Sequence, residues 1–183
     1  MVVNDRLQFG FAHIQRTGGG SMTEALMRLP GSRRVFPDHS MIVPPETRGY
    51  FWFLAVREPF AREWSHYCRR HGRGKRHWIR QRVRKMSFAE YVESHTANPD
   101  YWEDHCQAAW VRRIEPDLIL RFEELPDCLN QLPFAIGPYP RRNASRPMPA
   151  DAYTERIAAM VRDWAGEDFG LFGYHADVQP GRD

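Results

Sequence analysis

The chain has 183 residues, which suits one domain with its own core, and we expect a single domain over residues 1–183. A content of 42% hydrophobic and 13% aromatic residues excludes an intrinsically disordered chain. No apolar run is long enough to span a membrane, and the N-terminus lacks the charged-then-apolar order of a signal peptide, so we expect a cytoplasmic protein. The three cysteines lack metal-ligand spacing and indicate reduced thiols rather than a disulfide framework: Cys68, Cys106 and Cys128.

The net charge of +3 has one local source. Nine of the 26 basic residues lie within residues 69–85, which contain no acid. The rest of the chain has 17 basic residues and 23 acids and is therefore net negative. We expect residues 69–86 to form a basic insertion, either a solvated, mobile loop or a surface for an anionic acceptor such as an acidic polysaccharide. Nucleic acid is the weaker alternative, because Trp78 is the one large aromatic side chain in the run. Beyond residue 174 the polar tail, residues 175–183, is expected to fray.

The first predicted element is a strand over residues 6–14, followed by a glycine loop over residues 15–21 and a helix over residues 22–29. Ser21 and Glu24 have the spacing of a capping box at the helix start. Glycines allow close backbone approach, N–H groups at a helix start point at a ligand, and the helix dipole favours negative charge. The loop is therefore predicted to bind phosphate through Arg16, Thr17, Gly18, Gly19, Gly20, Ser21 and Met22.

The kind of phosphate ligand stays open at the level of the motif. A Walker A loop carries Lys and Ser or Thr after its glycines, whereas Arg16 precedes them here, and a Gly-x-Gly-x-x-Gly fingerprint is absent. A glycine turn without a ligand is one alternative. A nucleotide-dependent phosphotransferase that uses ATP and Mg²⁺ is another.

A second short strand is predicted over residues 33–36, which places His39 at or just after a strand end. This position is a usual one for chemistry in an α/β sheet. Histidine suits a general base because its pKa lies near working pH. Asp38 and Glu24 are rival bases.

The apolar, aromatic-rich run at residues 50–56 predicts a buried central strand. Arg57 follows at its carboxyl end, Pro59 suits the first turn of a helix, and Ser65 lies about two turns along that helix. The guanidinium fork and a hydroxyl are both good phosphate ligands. A surface ion pair of Arg57 is the alternative, and Arg62 is a further possible phosphate contact.

Later segments predict a capping box at Ser87 and Glu90, helices over residues 101–113 and about 150–165, and a strand over residues 117–122. Residues 139–147 form a basic, turn-rich loop. Arg146 is its main candidate for a phosphate contact, with Arg141, Arg142 and Asn143 nearby.

These motifs together resemble the carbohydrate-type sulfotransferases that use 3′-phosphoadenosine 5′-phosphosulfate (PAPS). Residues 13–21, HIQRTGGGS, are similar to the family's His-Ile-Pro-Lys-Thr-Gly-Gly-Thr-Ser loop. Residues 56–67 are similar to its Val-Arg-Asp-Pro signature with a following Ser-x-Tyr. Residues 139–147 and 168–174 resemble its Asn-x-Ser-x-Arg loop and its Asp-x-x-x-Phe-Gly-Tyr ending. The resemblance spans residues 9–174.

The resemblance implies a P-loop-like, three-layer α/β domain with a mostly parallel central sheet flanked by helices. It implies transfer of a sulfuryl group from PAPS to a hydroxyl of a carbohydrate or similar acceptor, with 3′-phosphoadenosine 5′-phosphate (PAP) as product and no metal required. The loop would hold the 5′-phosphosulfate, with His39 as base and Arg16 stabilising the leaving phosphate. Arg57, Ser65 and Arg146 would bind the 3′-phosphate, and Gln107 is a weak candidate for an acceptor contact.

The chain departs from the family loop at three positions: Gln15 replaces Pro, Arg16 replaces Lys and Gly20 replaces Thr. Arginine keeps the positive charge but is bulkier, planar and never a proton donor at neutral pH. A catalytically weak protein of the same fold that binds an anionic polymer is therefore a third alternative.

Overall fold

The structure is a computed structural model that describes residues 1–35, 39–71, 85–96, 106–140 and 145–177. Its residues group into two compact units. Unit 1 comprises Met1–Arg57 and Gln107–Ala144, and unit 2 comprises Glu58–Cys106 and Ser145–Asp183. The single domain expected from the sequence stays a prediction. The predicted basic insertion lies outside the described residues over 72–84, and so does the end of the tail, residues 178–183.

Five strands and six helices make up the described structure, which confirms the α/β class. The strands are β1 (Val2–Asn4), β2 (Phe9–Ala12), β3 (Ser32–Arg34), β4 (Phe51–Val56) and β5 (Leu118–Arg121). The helices are α1 (Gly19–Leu26), α2 (Pro59–His71), α3 (Phe88–Thr96), α4 (Gln107–Ile114), α5 (Glu155–Trp164) and α6 (Gly166–Phe172).

The sheet of unit 1 is mixed, with the strand order β3-β1-β2-β4-β5. Strand β4 pairs in parallel with β2 and with β5, whereas β1 pairs antiparallel with both β2 and β3. The expected parallel arrangement therefore holds for the β2-β4-β5 half only. The reason is a hairpin at the N-terminus: the chain turns between Asn4 and Phe9, where Gln8 has a φ of 52°. The strand predicted over residues 6–14 is in fact the end of this turn followed by β2.

One face of the sheet packs against α1. Strands present alternate residues to the same face, so Phe9 and Phe11 of β2 lie on the side of Phe53 and Ala55 of β4. Met22 and Leu26 of α1 join this cluster together with Leu120, Cys128 and Leu132, and these side chains are almost fully buried. Burial of Met22 and Leu26 against the strands fixes α1 beside the end of β2, which positions the loop between them.

Helix α1 begins earlier than the sequence predicts. Gly18 is its N-cap residue, with a φ of 80°, and no side chain caps it. The predicted capping box of Ser21 and Glu24 is therefore wrong, because both residues lie inside the helix. The glycine supplies the left-handed conformation that reverses the chain direction, so no side-chain cap marks the helix start.

Unit 2 is helical in its described residues. Its core is formed by Phe60 of α2, Tyr91 of α3, Ile157 and Val161 of α5 and Phe169 of α6. The capping box at the start of α3 is confirmed: the Ser87 backbone N–H donates to Glu90 Oε2 at 2.6 Å, and the Glu90 N–H donates to Ser87 Oγ at 3.3 Å.

Other features follow the sequence with shifted bounds. Helix α5 begins at Glu155, later than predicted, because Thr154 caps it by accepting a hydrogen bond from the Ile157 N–H.

All three cysteines lie within the described residues, and none of them forms a disulfide. Among the described residues, none of the helices combines the length and apolar character needed to cross a membrane.

Candidate anion-binding site

The loop between β2 and α1 is a tight turn with two left-handed residues. Arg16 has a φ of 66° and Gly18 a φ of 80°. The Thr17 side chain is buried, and its Oγ1 donates to the Ile14 carbonyl at 3.0 Å, which closes the turn from within. Left-handed backbone at a non-glycine residue costs about 1–2 kcal/mol, and it also occurs here at Gln8 and Glu115. Strain at Arg16 is therefore consistent with a functional loop but not specific to one.

The helix start offers its first backbone amides. Met22 makes the first helical hydrogen bond, from its N–H to the Gly18 carbonyl at 3.1 Å. The N–H groups of Gly19, Gly20 and Ser21 precede this ladder, and such groups are the ones that a helix start presents to an anion. Met22 was also predicted to bind the phosphate. Its N–H instead donates to the helix, and its side chain is buried in the core.

Neighbouring side chains leave little or no room for a Cβ atom at two of the loop glycines. A Cβ on Gly18 would lie 3.0 Å from the Phe122 ring and 3.1 Å from the Tyr139 hydroxyl, which itself donates to the Gly18 carbonyl at 3.3 Å. A Cβ on Gly19 would lie 1.8 Å from the His13 ring. Packing alone thus accounts for part of the glycine pattern, while Gly20 is exposed.

Arg57 lies directly after β4 and contacts the same loop. Its guanidinium carbon is 4.2 Å from the centre of the Phe122 ring, and its Nη1 donates to the Arg16 carbonyl at 3.4 Å. The residue is only 5% exposed, so it is not the surface ion pair that the sequence left open. Two predicted motifs, 41 residues apart in the chain, therefore meet in unit 1.

The backbone of Arg57 is held by Gln107, the first residue of α4. The Arg57 N–H donates to Gln107 Oε1 at 2.8 Å, and Gln107 Nε2 donates to the Arg57 carbonyl at 2.9 Å. Gln107 is fully buried, so its amide faces Arg57 rather than an acceptor in solvent. The sequence did not predict this contact.

His39 lies against the first residue of the loop motif. Its Nδ1 is 3.0 Å from the His13 carbonyl, and the two imidazole rings meet edge to face with centroids 4.6 Å apart. A carbonyl can only accept a hydrogen bond, so Nδ1 carries the hydrogen. In the neutral ring the lone pair is then on Nε2, which leaves that atom as the proton acceptor.

His13 itself is held neutral. Burial, followed by the charges of His39 and nearby cationic groups, lowers the pKa of His13 from 6.5 to about 3. At physiological pH it therefore adds no positive charge beside His39. His13 is the first residue of the loop motif, but no role was predicted for it from the sequence, because its part in the site depends on the packing of Gly19 and His39 against it.

The two rival bases differ in their surroundings. Glu24 accepts a hydrogen bond at 2.8 Å from Arg28, which lies four residues further along the chain, just beyond the end of α1. Its carboxylate therefore forms an ion pair with Arg28 instead of the predicted cap. Asp38 lies outside the described residues. His39 is the candidate base whose contacts include the loop motif.

The remaining predicted residues belong to unit 2. Ser65 is fully buried in α2, and its hydroxyl is 2.7 Å from the hydroxyl of Ser145. Trp64 Nε1 donates to the carbonyl of Arg146 at 2.9 Å, while the Arg146 side chain is exposed. Ser145 was missed by the sequence prediction, although it belongs to the same Asn-x-Ser motif. Arg62 is buried in the same helix, and residues 141–144 lie outside the described residues.

Within the described ranges, no group of three or more His, Cys, Asp or Glu side chains is arranged to hold a metal ion. Comparisons of the chain with protein-family models, with curated proteins and with solved structures find no match.

Proposed function

We propose that this protein is a PAPS-dependent sulfotransferase that transfers a sulfuryl group to a hydroxyl of a carbohydrate or similar acceptor. The observation that carries the proposal is the contact between the two motifs on which the resemblance rests. The side chain of Arg57 reaches the carbonyl of Arg16 at 3.4 Å, so an arginine side chain and a glycine loop at a helix start lie together. The proposal includes the P-loop-like arrangement of the family.

In this proposal the amides of Gly19, Gly20 and Ser21 bind the 5′-phosphosulfate. Backbone N–H groups at a helix start suit an anion, and the positive end of the helix dipole adds to the attraction. Arg16 supplies a full positive charge at the mouth of the loop. Arg57 supplies further N–H donors from its buried position beside the loop.

The reaction needs a base, an electrophile and a stabilised leaving group. His39 Nε2 removes the proton from the acceptor hydroxyl while the hydroxyl oxygen forms a bond to sulfur. The bond between sulfur and the bridging oxygen of the 5′-phosphate breaks, and its electron pair stays on that oxygen of PAP. Arg16 and the loop amides stabilise this charge as it develops. The sulfated acceptor and PAP are the products, and His39 holds the proton.

The resemblance assigns the 3′-phosphate to Arg57, Ser65 and Arg146. We propose Arg57 for the 5′ end instead, because its guanidinium contacts the Arg16 carbonyl, and we keep Ser65 and Arg146 for the 3′-phosphate. The partly buried hydroxyl pair of Ser65 and Ser145 supports a polar role for this part of unit 2. The acceptor class also rests on the resemblance, together with the basic composition of residues 69–85.

Calorimetric titration with PAP, beside ATP with Mg²⁺, tests the donor. We expect PAP to bind, and Arg57→Ala to weaken binding by about tenfold or more, since hydrogen bonds to charged groups contribute about 1.5–3 kcal/mol. Ser65→Ala should also weaken binding. Arg33→Ala is the matched control, because Arg33 is an exposed arginine of unit 1 that pairs with Asp5. Preference for ATP, or no nucleotide binding, would overturn the proposal.

Turnover of PAPS with a panel of carbohydrate acceptors tests the chemistry. We expect His39→Gln to lower kcat by roughly 10²–10⁴-fold with little change in the affinity for PAP, since a general base contributes that much. A variant that keeps full kcat would remove His39 from the mechanism. Salt-sensitive binding of an acidic polysaccharide without turnover would instead favour the polymer-binding alternative.

A further inference from the structure

We propose that Gln107 is a positioning residue for Arg57: its side-chain amide fixes the backbone at the end of β4 and so holds the guanidinium on the phosphate loop. The inference deepens the proposed function and rests on it for the identity of the anion. The contact between Gln107 and Arg57 stands on the structure alone.

Arg57 lies where the sheet no longer pairs the backbone. The ladder of β4 with β2 ends at Leu54 and Ala12, and its ladder with β5 ends at Val56 and Arg121. The next residue still has one donor and one acceptor to satisfy. Gln107 supplies both partners at 2.8 and 2.9 Å, as a residue on a neighbouring strand would.

Glutamine is suited to this position by its chemistry and by its place in the fold. Its amide presents a donor and an acceptor side by side, whereas a glutamate would present a second oxygen to the Arg57 carbonyl. The side chain is fully buried, so water cannot take the place of a lost hydrogen bond, and the loss therefore costs free energy. As the first residue of α4, Gln107 is anchored by a helix that places Trp110 and Ile114 in the core.

A fixed backbone at Arg57 determines where its guanidinium lies. The group occupies one position, over the Phe122 ring and against the Arg16 carbonyl. Anion-binding constellations need their donors held to about 0.5 Å, and a loosened backbone at residue 57 would relax that position. Gln107 would therefore affect anion affinity without touching the anion.

The test compares two buried amides of unit 1. Gln107→Met keeps the length of the side chain and removes both hydrogen bonds to Arg57. Asn4→Leu is the matched control: Asn4 is also fully buried, and its amide bonds Pro30, Ser32 and the Leu7 N–H at 2.8–3.0 Å. Hydrogen exchange of the Arg57 amide and titration with PAP are measured on both variants and on the wild type, at a temperature where each is folded.

We expect Gln107→Met to speed exchange of the Arg57 amide at least about tenfold and to weaken PAP binding about tenfold, with neither change in Asn4→Leu. In an Arg57→Met background, Gln107→Met should cost no further affinity, because the group it positions is gone. If Gln107→Met does not fold, Gln107→Asn takes its place, since it keeps the amide but shortens the side chain by one CH₂.

The outcomes separate the two proposals. A wild type that does not bind PAP overturns the proposed function, and exchange of the Arg57 amide then decides the role of Gln107 by itself. A wild type that binds PAP together with a Gln107→Met variant of equal affinity overturns this inference alone. Equal losses of affinity in the Arg57 and Arg57→Met backgrounds would also overturn it, since they indicate a general structural effect.

Discussion

Gly18 shows how one residue can meet two separate demands. Its φ of 80° is a left-handed conformation that glycine adopts without a steric penalty. Its missing side chain also leaves room for Phe122 and Tyr139, which a Cβ would approach to 3.0 and 3.1 Å. The backbone demand was predictable from a glycine-rich turn, whereas the packing demand required the positions of two residues more than 100 places further along the chain.

Gly18→Ala and Gly49→Ala separate these demands. Gly49 has a φ of 90° but nothing within 4 Å of an added Cβ, so its variant carries the backbone penalty alone. We expect Gly49→Ala to lose about 1–2 kcal/mol in the free energy of unfolding by urea. Gly18→Ala should lose more than Gly49→Ala, because its Cβ would also meet Phe122 and Tyr139. Only Gly18→Ala should also weaken PAP binding in a calorimetric titration. Unchanged binding in Gly18→Ala would show that the loop geometry is not needed for the nucleotide.

Glu63 of α2 is predicted to make stability depend on pH. Burial raises its pKa from 4.5 to about 7, against the opposing charges of Arg62 and Arg70. The folded state thus favours the protonated carboxyl, and the stability it contributes is complete below pH 4.5 and lost as pH rises through about 7. As pH rises between those limits, the free energy of unfolding of the wild type should fall by up to roughly 3 kcal/mol relative to that of Glu63→Gln.

Urea unfolding at about pH 5 and about pH 8 measures this difference. Glu124→Gln serves as the control for the substitution itself, because Glu124 is an exposed glutamate. Parallel pH dependences of the wild type and Glu63→Gln would mean that Glu63 does not titrate in this range.

At the scale of elements, the strongest local patterns were the reliable ones. The continuous apolar run predicted β4, and Pro59 correctly marked the first turn of α2. The start of α1 and the N-terminal strand were placed wrongly. In both cases left-handed residues, Gly18 and Gln8, redirect the chain, and Gln8 is a residue type that gives no turn signal.

The start of α2 gives a testable case of capping. The Glu58 carboxylate accepts hydrogen bonds from the N–H groups of Phe60 at 3.0 Å and Ala61 at 2.6 Å. We expect Glu58→Ala to lower the free energy of unfolding by about 1 kcal/mol, the typical cost of a lost N-cap. Ser87→Ala, which removes the cap of α3, should cost a similar amount. A Glu58→Ala variant as stable as the wild type would show that the carboxylate does not cap α2.

At the scale of the whole molecule, neither unit is one continuous stretch of chain. Unit 1 takes its sheet from Met1–Arg57 and its last strand from the segment that begins at Gln107. Strand β4 is paired on both sides, with β2 and with β5. The chain must therefore complete most of its length before the central strand gains its second neighbour.

A fragment of residues 1–106 is therefore expected not to fold. It lacks β5, so one edge of the apolar strand β4 would be left unpaired and prone to association. It also lacks Gln107, which satisfies the backbone of Arg57. Circular dichroism and size-exclusion chromatography should show no cooperative thermal transition and an aggregated species. A monomeric fragment with a cooperative transition would contradict this expectation.

The sequence by itself determined the α/β class, the strand that ends at Arg57, the glycine loop at the start of a helix, and the capping box at Ser87. These features depend on neighbouring residues, because apolar periodicity, glycine and proline act within a few positions of the chain. Only the tertiary structure decided which distant groups meet. Gln107 binds the backbone of Arg57 across 50 residues, and Ser145 meets Ser65 across 80. Such contacts follow from the path of the whole chain, and no local pattern encodes that path.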